Sequence, residues 1–421
     1  MFVRPIQANQ TTHPSIKMSH ALVMILALAF ALDSVINTFV QIPAGAIATI
    51  IIYLVFLLTS LLKLRKIDHL SAICLFLSII IFINPYVKNI FFGDLKATDF
   101  SDSAFFSLFM LIPIILDLHN KTSTNPNKYK LSILVTALSF SLFVPAIFGY
   151  EFASQSQNSN ISSDSLDLEF LRAYHQGFFR HPHVASYFFS FIFICLAFKA
   201  YTLKNKYLLI ASFFFLALII YTGSRAGLYS IVFALLGMSM TTSNIKIRAT
   251  AFSCATLFAL MSVTVNLREI ASILEGTFLY QYVTFFITAY DNFDRLSRVI
   301  IWKSWAASIA EFGVIEAFFG KPFSYSAMEN LQRIGYPIWF HNDWLNSLYS
   351  YGAIGLTSLA LSWINLFKKT MDLFENRLLG KTILLMSLFM SLTNGFYYYY
   401  PLVLIAYAYC TGNMTLKKSR P

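Results

Sequence analysis

Runs of about 20 apolar residues recur along the whole chain, separated by polar or charged residues. An α-helix of about 20 residues crosses the roughly 30 Å hydrocarbon core of a bilayer, where every backbone N–H and C=O group needs a partner inside the protein. The runs therefore predict an all-α integral membrane protein, with a single polytopic domain over residues 1–421. We predict about twelve transmembrane helices, at residues 20–40, 42–62, 69–86, 103–119, 131–150, 184–200, 207–222, 226–242, 249–266, 343–366, 380–396 and 398–414.

Composition agrees with this class. Hydrophobic residues make up 57% of the chain and charged residues only 12%, whereas soluble domains carry roughly a quarter of charged residues. All four cysteines fall within predicted helices and none has CxxC spacing. They predict neither a disulfide framework nor a metal site.

The basic residues predict the orientation. Lys and Arg in short loops stay on the cytoplasmic side of a membrane. With a cytoplasmic N-terminus, most of the 31 basic residues fall in cytoplasmic segments, whereas the outside turns VQIPAG and NGFYYYYP contain none. We therefore predict that both termini are cytoplasmic. The bases are split among short segments and form no stripe, so we expect no nucleic acid as partner.

Two of the predicted outside segments are long, residues 151–183 and 267–342. The first begins as a Ser/Asn/Asp-rich stretch and ends in LRAYHQGFFRHPHVASYFF, which is rich in Arg, His and aromatic residues. In the second, apolar residues at helical spacing from Val299 to Ile309 predict an amphipathic helix on or near the membrane surface. Loops this long in compact domains are often functional.

Arginines on the outside of the membrane depart from the orientation rule. Arg225 lies in the turn TGSRAG between two apolar runs. It could extend to lipid phosphates at the interface, or it could bind a phosphate of a substrate bidentately. Arg172 and Arg180 allow the same two interpretations. Arg295 and Arg298 lie three apart on the predicted helix and share a face, which is either a solvated face or a binding surface.

His341 lies directly before Asn342 and Asp343, where a long apolar helix begins. The two residues after the histidine could simply cap that helix. The alternative is a general base, because a neutral imidazole can accept a proton from an attacking hydroxyl near pH 7. In that case Asn342 or Asp343 would orient the ring or hold the substrate.

These residues together resemble the O-antigen polymerase and O-antigen ligase superfamily. The carrying features are GSRAG opening an apolar run, a large outside loop containing R-x-x-I-W, and HND-W-L-x-x-L-x-x-x-G-x-x-G opening the next long helix. The segment RAYHQGFFRHPH is similar to the R-x-x-G-x-x-x-x-P pattern of the superfamily. The resemblance covers roughly residues 170–360. It departs from the superfamily at Pro182-His183, where Pro-Asn is usual.

The resemblance implies a GT-C-like glycosyltransferase of lipopolysaccharide biosynthesis in the bacterial inner membrane, with its active site on the periplasmic side. Its donor would be an undecaprenyl-diphosphate-linked oligosaccharide and its acceptor a repeat unit or lipid A-core, without metal or other cofactor. His341 would deprotonate the acceptor hydroxyl and Arg225 would contact the diphosphate. Further substrate-binding candidates are Arg172, Arg180, Arg295, Arg298, Asn342 and Asp343. Membrane lipids and a chain-length regulator are further candidate partners.

Three functions remain open at this stage. A polymerase would extend the glycan onto another lipid-linked repeat unit, and a ligase would transfer it to lipid A-core. A flippase would use the arginines only to bind an anionic substrate, but transporters usually show internal repeats and polar residues at mid-membrane. The sequence shows no clear repeat and little charge within its apolar runs. We favour an enzyme, and a polymerase slightly over a ligase.

Overall fold

The computed structural model of the chain describes residues 44–93, 95–120, 128–144, 175, 177–179, 182–241, 297–335, 337–373, 377–395 and 397, with the short stretches 245, 248–249, 253, 272, 274–277 and 280. These residues form α-helices and contain no strand, which confirms the prediction of an all-α chain for this part. The helices are α1 (Ala44–Leu62), α2 (His69–Phe92), α3 (Ala97–Asn120), α4 (Lys128–Ser141), α5 (Pro182–Leu203), α6 (Lys206–Tyr221), α7 (Arg225–Thr241), α8 (Ser297–Ala310), α9 (Val314–Phe319), α10 (Phe323–Ile334), α11 (Asp343–Leu373) and α12 (Arg377–Thr393).

Within the described residues, four helical segments are long and apolar enough to cross a membrane: Gly45–Leu62, His69–Phe92, Ala97–Ile114 and Pro182–Leu203. Three shorter apolar helices accompany them, Lys206–Tyr221, Ala226–Ser239 and Leu378–Thr393. These helices support a membrane-embedded protein.

The described residues do not support the predicted number of about twelve spans. The predicted spans at 20–40 and 398–414 lie outside the described residues, as does 249–266 apart from residues 249 and 253, and the others overlap α1 to α7, α11 and α12. Because several of these helices are short or polar at one end, the described residues support neither twelve spans nor a GT-C-like architecture.

Contacts between α5, α7 and α12 show which helix ends lie together. The α7 and α12 helices run antiparallel, since the Phe233 and Phe389 rings stack at 4.9 Å and Gly237 faces Leu385. The α5 and α7 helices run parallel, because Ser186 Oγ donates to the O atom of Ser224 and Ser190 Oγ, one turn later, donates to the O atom of Gly227. The N-termini of α5, α7 and α11 and the C-termini of α6 and α12 therefore lie at one end, which we call the site end.

Asp68 and Lys369 form an ion pair of 2.5 Å at the opposite end of the bundle, where α2 begins and α11 ends. Burial raises the pKa of Asp68, but the hydrogen bond from Lys369 and the N–H of Ser71 outweigh it and lower the pKa to about 2. The ion pair therefore fixes the start of α2 against α11.

The α11 helix is broken at Gly352, which has φ 62° and ψ −154°. A Cβ at Gly352 would lie 2.4 Å from the backbone C of Phe318, and a Cβ at Gly320 would lie equally close to Ser350. Only glycine permits this backbone approach with a positive φ. The break leaves carbonyls without helical partners. Lys321 N–H donates to Tyr349 O (2.8 Å), and Lys88 Nζ, from α2, donates to Ser350 O.

The segment predicted as the large outside loop contains α8, α9 and α10, and α8 overlaps the predicted amphipathic helix. Ile301 of α8 is buried and belongs to a small core with Phe340 and Tyr349. The indole N–H of Trp305 donates to the O atom of Leu345 at 3.0 Å. The apolar face of α8 thus packs against α11, and this contact positions the helix beside the start of α11.

Candidate functional site

Asn394, just after α12, joins two of the predicted site residues. Its side-chain Oδ1 accepts a hydrogen bond from Nη2 of Arg298 at 2.9 Å and lies 2.9 Å from Nδ1 of His341. Asn394 is 1% exposed, whereas Arg298 and His341 are partly accessible. The structure therefore brings together residues that are 96 and 53 positions from Asn394 in the chain.

This arrangement determines the tautomer of His341. A guanidinium can only donate, so the Asn394 atom that faces Arg298 must be the oxygen. The same oxygen faces Nδ1 of His341, which must then carry the proton. The neutral ring consequently has its lone pair on Nε2, the atom that a general base would use.

His341 also has an unusual backbone conformation, with φ at 52°. A left-handed conformation costs a residue other than glycine about 1 kcal/mol. The adjacent Trp339 ring lies 4.8 Å from the imidazole, centroid to centroid. Strained residues of this kind are concentrated at functional sites.

Asn342 and Asp343 connect the start of α11 to the end of α12. Asn342 caps α11 by accepting from the N–H groups of Trp344 (2.9 Å) and Leu345 (3.1 Å), and its Nδ2 donates to the O atom of Leu392. Asp343 is buried, and its Oδ2 accepts from Ser391 Oγ at 2.8 Å and from the Tyr397 N–H at 3.3 Å. The capping interpretation of Asn342 is thus confirmed, and both side chains hold the frame around His341.

The turn that contains Arg225 meets the end of the first long loop. His183 Nδ1 lies 2.6 Å from Ser224 Oγ, and the His175 ring stacks on Tyr221 at 4.3 Å. Arg225 itself begins α7. The α7 and α12 register puts this first turn of α7 level with the residues that follow α12. His183, where the sequence departs from the superfamily pattern, therefore supports the turn that carries Arg225.

Arg172, Arg180 and Arg295 lie outside the described residues. Two other cations of the same predicted loop, Lys321 and Arg333, contact carboxylates. Lys321 lies 2.8 Å from Glu329 and Arg333 lies 2.6 Å from Glu311. Burial raises the pKa of Glu329, but its hydrogen bonds from Lys321 and Ser308 outweigh this effect and lower it. We assign these two ion pairs to the internal structure of the loop.

An open pocket of about 580 Å³ lies beside the Asn394 cluster. It is predominantly apolar and its lining residues come from α7, α8, α11 and α12 together with the residues next to them. They are Phe233, Trp302, Trp305, Asn342, Leu345, Phe389, Leu392 and Thr393. Because Asn342 follows His341 and Thr393 precedes Asn394, the polar cluster forms one margin of this apolar pocket.

Among the described residues, Nδ2 of Asn394 and the indole N–H of Trp302 are two of the buried polar groups that have no hydrogen-bond partner. Unsatisfied buried donors are rare and often correspond to a ligand or a water molecule. Here both belong to residues of the cluster or the pocket wall. The site therefore suits a ligand that has an apolar part and an oxygen-rich part.

No protein-family model matches the chain, and no curated protein matches it. The function must consequently be inferred from the residues themselves. Within the described part of the chain, no group of three or more His, Cys, Asp or Glu side chains is placed to hold a metal ion.

Sequence reasoning missed Asn394 because it lies in the uncharged turn NGFYYYYP, which showed no local feature of a site. It also missed the buried charges Lys88 and Asp102, which the predicted spans left just outside the helices. In the structure α2 extends to Phe92 and α3 begins at Ala97, so both side chains are enclosed by protein.

Proposed function

We propose that this protein is a glycosyltransferase that polymerises undecaprenyl-diphosphate-linked repeat units of O-antigen or a related surface polysaccharide. The observation that carries the proposal is the contact of Arg298 and His341 with one oxygen of Asn394, at the margin of an apolar pocket. A guanidinium, an imidazole and an apolar pocket suit the diphosphate, the acceptor hydroxyl and the polyprenyl chain of such substrates.

In the proposed reaction, Nε2 of His341 takes the proton of the acceptor hydroxyl as its oxygen attacks the anomeric carbon of the donor. The bond between that carbon and the diphosphate oxygen breaks, and its electron pair leaves with the lipid diphosphate. Direct displacement inverts the anomeric centre. General-base catalysis of this kind contributes about 10²- to 10⁴-fold to a rate.

Arginine supplies the second contribution. Negative charge accumulates on the leaving diphosphate, so a cation beside it stabilises the transition state more than the ground state. Arg298 is the described arginine nearest to this role, because it shares Asn394 with His341. We also include Arg225 as a residue that contacts the diphosphate, because its turn lies at the site end. Arg172, Arg180 and Arg295 remain further candidates.

The proposal includes a definite orientation. The site end would face the periplasm, both termini would lie in the cytoplasm, and the bilayer would be the bacterial inner membrane. The acceptor would be the glycan of another lipid-linked repeat unit. A ligase that uses lipid A-core as the acceptor would need the same three groups, so it remains the alternative enzyme.

A flippase is favoured by a different observation, the buried charges Lys88 and Asp102 beside the broken helix α11. Broken helices and buried charges are found in transporters, where the substrate site lies near the bilayer midplane. Here both charges lie within about 8 Å of the ends of their helices, counting 1.5 Å per residue. This position is closer to the membrane surface than to the midplane, so we prefer the enzyme.

The surface polysaccharide of a deletion strain tests the proposal. Loss of a polymerase leaves single repeat units on lipid A-core, and loss of a ligase leaves bare core with polymer on the lipid carrier. Loss of a flippase leaves unpolymerised units on the cytoplasmic side. We expect the first pattern.

Complementation with Arg298→Ala should reproduce the deletion pattern, because the variant removes the cation from the site. The control is Arg333→Ala, which removes an arginine of the same loop that pairs with Glu311 and should restore the ladder. Membrane levels of both variants are measured by immunoblotting. A full ladder with Arg298→Ala at normal levels would contradict the assigned role.

A further inference from the structure

The short helix α9 turns an apolar face outward. Val314, Ile315, Phe318 and Phe319 are all exposed, Val314 to 77% and Phe318 to 55%. Soluble surfaces rarely expose so many adjacent large apolar side chains. The backbone at the end of α9 packs against α11 at the Gly352 break, so the exposed face points away from the bundle.

The position of α9 along the axis of α2 is given by Asn84, whose Nδ2 donates to the O atom of Phe319 at 3.3 Å. Asn84 lies about 12 Å from the end of α2 at Phe92, and the 24-residue helix is about 36 Å long. The helix thus exceeds a hydrocarbon core of roughly 30 Å by about 3 Å at each end. With α2 centred in the bilayer and perpendicular to it, the end of α9 would lie about 9 Å inside the hydrocarbon region.

The backbone around α9 has the partners that this depth requires. Non-helical backbone at membrane depth is tolerated only where its polar groups are satisfied within the protein. Lys88 Nζ donates to Lys321 O (2.9 Å) and Ser350 O, and Lys321 N–H donates to Tyr349 O. Lys88 is only 3% exposed.

Several residues of α2 around Asn84, which contacts the end of α9, are exposed as well. Along α2, a candidate membrane span, Ile80, Ile83, Tyr86, Ile90 and Phe91 are exposed. A spanning helix that is exposed in the isolated chain faces lipid in the membrane. We propose that residues 313–320 form a re-entrant element within the membrane and that the outward face of α9 contacts lipid acyl chains. This inference goes beyond the proposed enzyme and does not depend on it.

Spin-label accessibility in lipid vesicles tests the depth of α9. Phe318→Cys is introduced into the full chain with Cys74, Cys195, Cys254 and Cys410 replaced by alanine, and reconstituted into phosphatidylethanolamine–phosphatidylglycerol vesicles. We expect the nitroxide at position 318 to collide severalfold more often with oxygen, which dissolves in lipid, than with a water-soluble nickel complex. The matched control is Gln332→Cys on α10, an exposed position beside the Arg333–Glu311 ion pair, where we expect the reverse.

A second measurement leaves the four cysteines in place. A photoreactive benzoylphenylalanine replaces Phe318 in native membranes, and the expected product is a lipid adduct of the monomeric chain. Access of the nickel complex to position 318 equal to that at 332 would overturn the proposal. A crosslinked dimer in place of the lipid adduct would also overturn it, because a second copy would then cover the face.

Discussion

The two ends of the first part of α11, Asp343–Tyr351, carry polar clusters that differ in access. At the Gly352 end, the charged groups Lys88 and Asp102 are enclosed by protein. At the Asp343 end, His341 and Arg298 are partly accessible beside an open pocket. The enclosed charges contact other groups of the protein, whereas the accessible ones can also contact a ligand. Access, more than charge, therefore distinguishes the structural cluster from the candidate site.

The enclosed cluster nevertheless reaches the candidate site. Asp102 accepts from the hydroxyls of Tyr351 (2.6 Å) and Tyr397 (2.8 Å). Asn346 Nδ2 donates to the Tyr397 hydroxyl, and the Tyr397 N–H donates to Asp343. A buried network of this kind specifies one arrangement of the groups that it joins. The break in α11 is thus connected to the residues next to His341.

His341→Ala gives the largest effect that this comparison predicts. Transfer of the glycan from a lipid-linked donor should fall about 10³-fold, since the proposed general base is lost, while the temperature of unfolding in detergent stays nearly unchanged. Transfer is measured with purified protein and lipid-linked repeat units extracted from the deletion strain. His69→Ala, at the opposite end of the bundle, is the control. Unfolding at a clearly lower temperature would instead assign His341 to the structural cluster.

Lys88→Met should have the opposite effect and lower the stability of the protein before it affects activity. The variant leaves the carbonyls of Ser350 and Lys321 without their donor, which costs about 2 kcal/mol of unfolding free energy. Unfolding in detergent is followed by tryptophan fluorescence. Lys96→Met, in the connection between α2 and α3, is the matched control, with a change expected within about 0.5 kcal/mol. A Lys88→Met protein as stable as the control would show that the break does not need its lysine.

Asn394→Asp tests whether the side chain at position 394 contacts Nδ1 of His341. The carboxylate can still accept from both Arg298 and His341, and its charge stabilises the protonated imidazole. We expect transfer activity to persist, with the acidic limb of its pH–rate profile moved to higher pH. Asn394→Leu removes both hydrogen bonds and should lose most activity. An unshifted profile for Asn394→Asp would mean that the side chain does not contact the catalytic base.

Asp68→Asn gives the smallest effect, at the end of the bundle far from the site. The pKa of Asp68 is lowered to about 2. Its contribution to stability is therefore complete above the unfolded value of about 3.9 and is lost as the pH falls towards 2. Because Asp68 is partly exposed, we expect Asp68→Asn to cost only about 1 kcal/mol at neutral pH.

Thermal unfolding between pH 6 and pH 3 measures this contribution. Lys369→Met should cause a similar loss and remove this part of the pH dependence. Transfer activity at neutral pH should be unchanged in both variants. A loss of activity without a loss of stability would contradict the division between the two ends of the bundle.

The sequence predicted most of the described helices because apolar length and helical period are local properties. Segments 184–200 and 207–222 coincide with α5 and α6 to within a few residues. The predicted helix boundaries were wrong near Lys88 and Asp102, where charge indicated a loop. Both residues lie within helices, in α2 and α3. Partners from distant helices stabilise these charges, and no local pattern reports such partners.

For the candidate site, the sequence by itself determined which residue types are present. It also placed His341, Arg298 and the turn that carries Arg225 near the same end of the bundle. It also determined the glycine at 352, although not its function as a break. Only the tertiary structure decided that Asn394 joins the imidazole to the guanidinium and that Lys88 holds the broken α11. Periodicity acts over a few turns of helix, whereas these hydrogen bonds connect residues between 53 and 262 positions apart, which only packing brings together.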